Sequence, residues 1–255
     1  MQTIFQNKEN EINETNETSV LCNFQAGVDE VARGPLFGPV FAAAVILNPD
    51  VDIHPWLNDS KKVTKKRRHV VKQWIEETAI AFGVAYITND IIDQINIRNA
   101  AYLAMELAIK KMCRKQIPNL LLIDGDYFPG TKNFGKYNDY LNLNEETLDK
   151  ETLASINHVC IVGGDAKYAN IAAASILAKE CHDEYIRDLL EKHPELQIKY
   201  GLETNMGYGT KNHILAIQEY GPTSFHRMTF LKRILSSTSD SNLKTHFFLS
   251  ADSDS

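Results

Sequence analysis

Along this chain, short apolar runs bounded by polar turns alternate with longer stretches whose apolar residues recur at helical spacing. Phe24, Ala26 and Val28 lead into the adjacent acids Asp29 and Glu30, then Arg33 and two Gly-Pro steps, and an apolar run over 40–47 leaves them. That order predicts strand, polar turn, strand. Val70, Val71, Trp74 and Ile75 predict a helix that Thr64 caps. Residues 82–88 alternate as a strand does. From 90 to 112 the period is helical, most clearly over 99–112. Residues 119–123 form a short apolar run typical of a buried strand, ending in Asp124-Gly125-Asp126. The stretch 129–156 is polar and reads as a surface insertion with one helix over 144–155. A further strand is predicted over 158–162, an alanine-rich helix over 168–191, and a helix over 211–219 closed by Gly221-Pro222. Strands interleaved with helices predict an α/β sheet with helices on its faces.

The chain has 255 residues, 44% of them apolar, which suits one large domain with appendages. Residues 1–20 read as a disordered leader: polar and acidic, with neither the apolar core of a secretory signal nor the arginines of a mitochondrial presequence. Residues 21–235 read as the folded domain, and the Ser- and Asp-rich 236–255 as a mobile tail. No apolar run approaches the roughly 18 residues of a membrane span. Cys22, Cys113, Cys160 and Cys181 are scattered, without the paired spacing of a zinc site or disulfide framework, so a cytoplasmic protein is expected.

The net charge is −6, of which the leader carries −3 and the tail −2, leaving −1 for the body. A near-neutral body neither predicts nor excludes nucleic-acid binding, so local patches decide. One patch stands out, with six cations between Lys61 and Arg68. It fits a phosphate contact, to which Asp59-Ser60-Lys61 weakly adds polar groups, but a charge run is more commonly a solvated helix face.

Candidate chemistry is concentrated at strand ends. Two carboxylates at the end of a strand are costly to bury without a partner, and a divalent cation is the partner that makes them useful; hairpin punctuation is the alternative for Asp29-Glu30. On a regular strand the two would point to opposite faces, so both serve one site only if the strand ends or bends at the pair. Asp124 lies where open α/β sheets place their sites, with a turn aspartate as the alternative. Ser175, Lys179 and Asp183 fall at four-residue steps and share one helix face, which for a lone polar stripe is usually a solvent face, although a small-residue helix could pack its Asp against the sheet. Gly163-Gly164 permits close backbone approach, but no Walker or dinucleotide pattern accompanies it. Tyr208, between two glycines, could stack on a base or sugar or be only a turn tyrosine.

Taken together, GVDEVARGPLFGPVFAAAVIL, DSKKVTKKRR, INIRNAAYLAMELAI, LLIDGD, GDAKYANIAAASILAKECHDEYI and the GYGTKNHILAI to FHRMTF segment resemble, in order, the motifs of the type 2 ribonucleases H (ribonuclease HII). The resemblance covers about residues 24–233. It implies a ribonuclease H-like fold, a central five-stranded mixed sheet flanked by helices with a helical C-terminal part. It implies four acidic metal ligands at Asp29, Glu30, Asp124 and Asp183, holding two Mg2+ or Mn2+ ions. It places the ribose-sensing run on Ala32, Arg33 and Gly34, the junction-sensing tyrosine on Tyr208, and phosphate contacts on Ser60, Lys61 and Lys167.

The implied activity is endonucleolytic hydrolysis of the RNA strand of RNA–DNA hybrids, with incision 5′ of ribonucleotides embedded in duplex DNA, by a monomer. Leu243, Phe247 and Phe248 in the tail are similar to a sliding-clamp docking peptide. Two other readings stay open: a non-catalytic hybrid-binding protein, against which the presence of all four acids argues, and another ribonuclease H-like nuclease acting on DNA. Ala32 replaces the family's usual glycine and His182 its usual arginine, and the insertion is longer than the family's pattern. The type 3 enzymes are less similar, although Phe37 resembles theirs. Ala32 lies at negative φ if the loop has adjusted to it; the loop is expected to keep its shape and donors.

Overall fold

The computed structural model describes residues 24–140 and 150–236. The expected leader, residues 141–149 of the insertion and the tail beyond Ser236 lie outside them, including Leu243, Phe247 and Phe248.

Five strands form one sheet in the order β3-β2-β1-β4-β5: β1 (Gln25–Val31), β2 (Val40–Ile46), β3 (Ala81–Ile87), β4 (Leu120–Asp124) and β5 (Asn157–Ile161). β1 runs antiparallel to β2, and β2 to β3, whereas β4 runs parallel to both β1 and β5. This is the expected mixed sheet. Its central strand ends on the same edge as β4, which brings Asp29, Glu30 and Asp124 to one end of the molecule.

The alternation of β1 and β2 divides the core in two. Ala26, Val28, Ala42 and Ala44 face α2 (Asn89–Ile95) and α3 (Ile97–Cys113). Ala43 and Val45 face the opposite side, toward α1 (Lys65–Thr78) and α5 (Ala169–Lys192). The α5 backbone lies directly against β1: a β-carbon at Gly27 would stand 2.0 Å from the Asn170 carbonyl carbon, so only glycine fits.

A third cluster joins Phe37 and Ile186 to the C-terminal helices: α6 (Pro194–Tyr200), α7 (Leu202–Asn205), α8 (Lys211–Tyr220) and α9 (Met228–Ser236). At its centre the His226 and His213 Nε2 atoms are 3.2 Å apart, and His213 Nδ1 meets the Tyr208 carbonyl at 2.9 Å. The Thr223 N–H donates to His226 Nδ1 at 3.0 Å. This chain closes only if both rings are neutral: Nδ1 of His226 accepts, its Nε2 donates, and His213 passes the order on to Tyr208. Burial, helped by His213, pushes His226 down to about 3. Above the unfolded imidazole pKa this costs nothing. As pH falls from about 6.5 toward 3, the unfolded chain binds a proton that the fold refuses. His226 should therefore cost about 2 kcal/mol of stability between pH 7 and pH 5. Urea unfolding at the two pH values, with and without His226→Gln, measures this share; an unchanged slope in the variant would remove it.

Several elements differ from the sequence pattern. The helical stretch over 90–112 is two helices, broken at Asn96, which sits at φ +68° and caps α3 by accepting the Asn99 N–H. Asparagine tolerates both roles, so apolar period alone does not reveal the break. The described insertion holds short 3-10 turns at Thr131–Asn133 and Asn138–Tyr140, and α4 (Lys150–Ser155). The first part of the expected 144–155 helix falls outside the described residues. Helices α6 and α7 were not anticipated, although Pro194 at the first turn of α6 and a left-handed Gly201 after it are ordinary helix punctuation. Burial raises Cys113 to about 12 and Cys181 to about 11, so both stay protonated thiols. Among the described residues no helix is long and apolar enough to cross a membrane.

Candidate active site

β1 does not bend at the acidic pair. It continues through Val31, pairing Asp29 with Ala43 and Glu30 with Ala42. Asp29 accordingly shares a face with Ala43, toward α5, and Glu30 lies on the α3 side. Asp124 shares the face of Asp29, and its Oδ1 accepts the Gly164 N–H at 2.7 Å. The strand ends one residue past the pair, and although the two side chains leave it on opposite faces the charge of Glu30 still reaches Asp29. Burial, then the charges of Glu30 and Asp124, push the Asp29 carboxyl well above the usual range. Burial raises Glu30 as well; Arg33, at 3.1 Å, offsets part of this and Asp124 adds to it.

Asp183 is different. It is buried on α5, and Lys179 Nζ lies 2.6 Å from its Oδ1. His182 Nδ1 is 3.1 Å from the same oxygen, and Arg68 reaches Oδ2 at 3.3 Å. Burial alone would raise this carboxyl, but the His182 and Lys179 contacts outweigh it and hold it below the usual range. His182 is fully buried and its pKa is lowered by desolvation, so it acts as a neutral donor.

These observations bear on the implied cation. Among the described residues no three His, Cys, Asp or Glu side chains form a ready-made cage. Asp29, Glu30 and Asp124 nevertheless gather negative charge at a site that burial makes unfavourable, and oxygen donors suit a hard divalent ion better than zinc. Asp29, Glu30 and Asp124 fit such an ion, whereas Asp183 is engaged by Lys179, His182 and Arg68.

Just beyond β1 the chain turns at Ala32, whose φ is +68°. The loop has not adjusted to its alanine; it keeps a left-handed residue there at a steric cost of about 1–2 kcal/mol. Ala32→Gly should raise unfolding stability by about 0.5–1 kcal/mol, the relief less the entropy of a freer unfolded chain. A loss of stability in urea unfolding would contradict this.

The turn is held by Arg227, which sequence reading missed. Its guanidinium is fully buried and donates to four carbonyls: Nε to Gly38 at 2.8 Å, Nη1 to Arg33 at 3.1 Å, and Nη2 to Ala32 and Pro39 at 2.8 and 2.9 Å. Desolvation lowers it only to about 10, so it stays charged. The Arg227 N–H also donates to the Leu36 carbonyl, and the Leu36 N–H to that of Gly207. Only the FHRMTF run pointed here, without distinguishing its arginine.

The same clasp carries Tyr208 to the loop. A β-carbon at Gly34 would lie 3.7 Å from the Tyr208 ring, which is 40% exposed. Burial, then the charge of Asp183, raises its phenol. Tyr208, Arg33 and Gly34 thus stand together beside the carboxylates.

The candidate phosphate contacts are placed less uniformly. Lys61 is exposed, and its charge reaches both Tyr208 and Asp165. The Ser60 hydroxyl is buried against that of Ser175, 2.9 Å away. Lys167 donates to the Val162 carbonyl at 2.5 Å, and no described contact joins it to the carboxylates. Within the basic run, Arg68 turns inward to Glu180 and Asp183, whereas Lys61, Lys65, Lys66 and Arg67 stay on the surface.

A family model described as Ribonuclease HII matches residues 26–233. The ribonuclease HII of Cytophaga hutchinsonii is 44% identical over 206 residues, covering 81% of this chain and 88% of that protein. Among solved structures, the ribonuclease H2 of Pyrococcus horikoshii OT3 superposes with a TM-score of 0.60 at 22% identity, covering 86% of this chain and all of that one. The ribonuclease HII of Archaeoglobus fulgidus, solved in complex with PCNA, also gives 0.60, at 21% identity over 87% of this chain and 98% of that one. At such identity the structures speak to the fold alone, whereas the family match spans most of the sequence. This chain belongs to the ribonuclease HII family and is a metal-dependent endoribonuclease.

Proposed function

We propose that the enzyme hydrolyses the RNA strand of RNA–DNA hybrids and incises 5′ of ribonucleotides embedded in duplex DNA, leaving 5′-phosphate and 3′-hydroxyl ends. The observation that carries this is the gathering of Asp29, Glu30 and Asp124 at one sheet end, beside an exposed turn on which Tyr208 is seated. Asp29, Glu30, Asp124 and Asp183 would hold two Mg2+ or Mn2+ ions. When bound, such ions activate water toward the phosphodiester and stabilise the departing 3′-oxygen.

The chain's own residues do the rest. Arg227 holds the 32–34 turn so that its backbone meets the ribose 2′-hydroxyl. Tyr208 stacks where ribonucleotide gives way to deoxyribonucleotide. Lys61 and the exposed cations after it meet backbone phosphates, which makes binding fall with salt. Lys167, held on the Val162 carbonyl, contributes there only if it swings free. Ser60 acts through its backbone and through the Ser175 contact that supports the Asp29 face. The Ala32 methyl relaxes ribose selection slightly, so Ala32→Gly improves single-ribonucleotide incision by about 1 kcal/mol or less in kcat/KM.

The test is cleavage of a DNA duplex carrying one ribonucleotide, beside an all-DNA duplex and a hybrid, each with and without Mg2+. Cleavage of the first and third only, and only with Mg2+, is expected. Cutting the all-DNA duplex would favour a DNA-acting nuclease, and binding without cleavage a hybrid-binding protein. Tyr208→Ala should weaken single-ribonucleotide incision by about 1–3 kcal/mol and long-hybrid cleavage less. Equal losses on both substrates would leave Tyr208 a packing role. We also propose that Leu243, Phe247 and Phe248 dock a sliding clamp in a cytoplasmic, monomeric enzyme. A pull-down unaffected by removing residues 236–255 would exclude that contact.

A further inference from the structure

On the sheet face toward which Glu30 points, a cavity of about 320 Å3 opens between the start of α3 and the insertion that follows β4. It belongs to the size class that holds small ligands, roughly 300–1,000 Å3. Four aromatic rings and two cations line it, beside Leu103 and Pro129. Arg98 lies 5.9 Å from the Tyr102 ring centre and 5.3 Å from that of Tyr127. Lys136 lies 5.2 Å above Tyr137. Phe134 closes one side, and Tyr127 leaves 52% of its surface in solvent. The one buried carboxylate here, Glu106, is already engaged by Lys110 and the Gly135 N–H. Arg98 covers one face of Tyr102 and of Tyr127 and donates to the Tyr102 hydroxyl at 3.1 Å, so the cavity offers the exposed remainder of the Tyr127 ring together with two cations that no lining acid neutralises.

Its position follows from the topology. α3 runs against the direction of β1: Gly83, near the start of β3, packs on Ala108 and Met112 at the far end of α3, so Arg98 lies at the edge where β1 and β4 end. Tyr127 follows Asp124 by three residues, and the charge of Asp126 reaches Arg98. The cavity thus lies at the same end of the sheet as the candidate active site, on the face of Glu30, and its far wall, over 129–137, comes from the insertion.

We propose that this cavity is a binding subsite for an unpaired nucleotide flanking the duplex, with its base on the exposed side of the Tyr127 ring, away from Arg98, and its phosphate between Arg98 and Lys136. A paired base hides its faces in the stack and presents only edges, whereas ring-lined pockets recognise bases that are free to stack. The inference deepens the hydrolase reading and rests on it: the enzyme prefers ribonucleotides beside a single-stranded overhang or flap.

The test is binding rather than turnover. Fluorescence anisotropy without divalent metal compares a one-ribonucleotide duplex carrying a five-nucleotide overhang, on either side in turn, with its blunt counterpart. For the parent enzyme the overhang on one side should tighten Kd about 5-fold, the lower range for stacking one base. Tyr127→Ala and Lys136→Ala should bring that ratio to about 1, each variant being referred to its own blunt duplex, and Tyr127→Phe should keep it. A parent ratio of 1 on both sides, or a ratio that survives Tyr127→Ala, overturns the subsite. Failure of the hydrolase reading would appear separately, as absent cleavage in Mg2+ by the parent enzyme.

Discussion

Asp29→Asn is expected to lower the rate of cleavage about 10³-fold or more while leaving the protein as stable as its parent, or slightly more so. The carboxyl sits 6% exposed on the α5 face of the central strand and accepts the Glu30 N–H at 2.7 Å. Asparagine keeps the volume and an oxygen for that contact. It removes the charge that burial and two neighbouring acids make unfavourable, so the fold should gain about 1 kcal/mol or remain unchanged. It also removes the anionic oxygen that a cation between Asp29 and Asp124 requires, and there the loss is nearly complete. The two measurements are kcat on a single-ribonucleotide duplex in Mg2+ and the midpoint of urea unfolding. A folded variant turning over within tenfold of the parent would end the assignment of Asp29 as a metal ligand. A markedly unstable one would show that the carboxylate is structural.

Arg227 carries the other large expectation. Its four donated hydrogen bonds converge on carbonyls from Ala32, Arg33, Gly38 and Pro39, and among the described residues no carboxylate pairs with it directly. The backbone itself is the counter-charge, and each of these carbonyls is oriented by the guanidinium. Replacing Arg227 with Met leaves buried acceptors unmatched and should cost about 3–5 kcal/mol. Lys should rescue little, because a compact ammonium cannot span carbonyls spread round a fork-shaped site. Urea unfolding of both variants, with limited proteolysis of the 32–39 turn, reads this out. A loss under about 1 kcal/mol for Arg227→Lys would show that charge alone suffices. Since the clasp holds a left-handed alanine, relieving the strain with Ala32→Gly should restore part of the Arg227→Met loss if the two act through the same turn.

The strands, the long α5 and the helix over 99–112 were legible because their patterns are local: a period of two, a period of 3.6, and turn residues between them. Asp29, Glu30, Asp124 and Asp183 could be proposed as metal ligands by resemblance, since each lies in a motif whose order along the chain is itself distinctive. Tyr208 could be singled out from its flanking glycines. The break at Asn96 was not legible, because a capping asparagine inside an apolar period looks like a tolerated polar residue until its φ is known. Nor was Ser60's placement, since a serine beside lysines suits a phosphate and a buried hydroxyl pair equally well.

The amino-acid order by itself determined the alternation of strand and helix, the acidic character of the strand ends and the family to which the chain belongs, because these depend on short spacings and on motif sequence. Only the tertiary structure decided which charges meet. Arg68 lies 115 residues from Asp183 and Arg227 lies 195 from Ala32, and neither distance along the chain carries information about contact. The same holds for the histidine chain to Tyr208 and for the ring-lined cavity at Arg98, where residues from α3 and the insertion meet across β4. Burial and long-range packing select those partners, and both are properties of the folded chain as a whole.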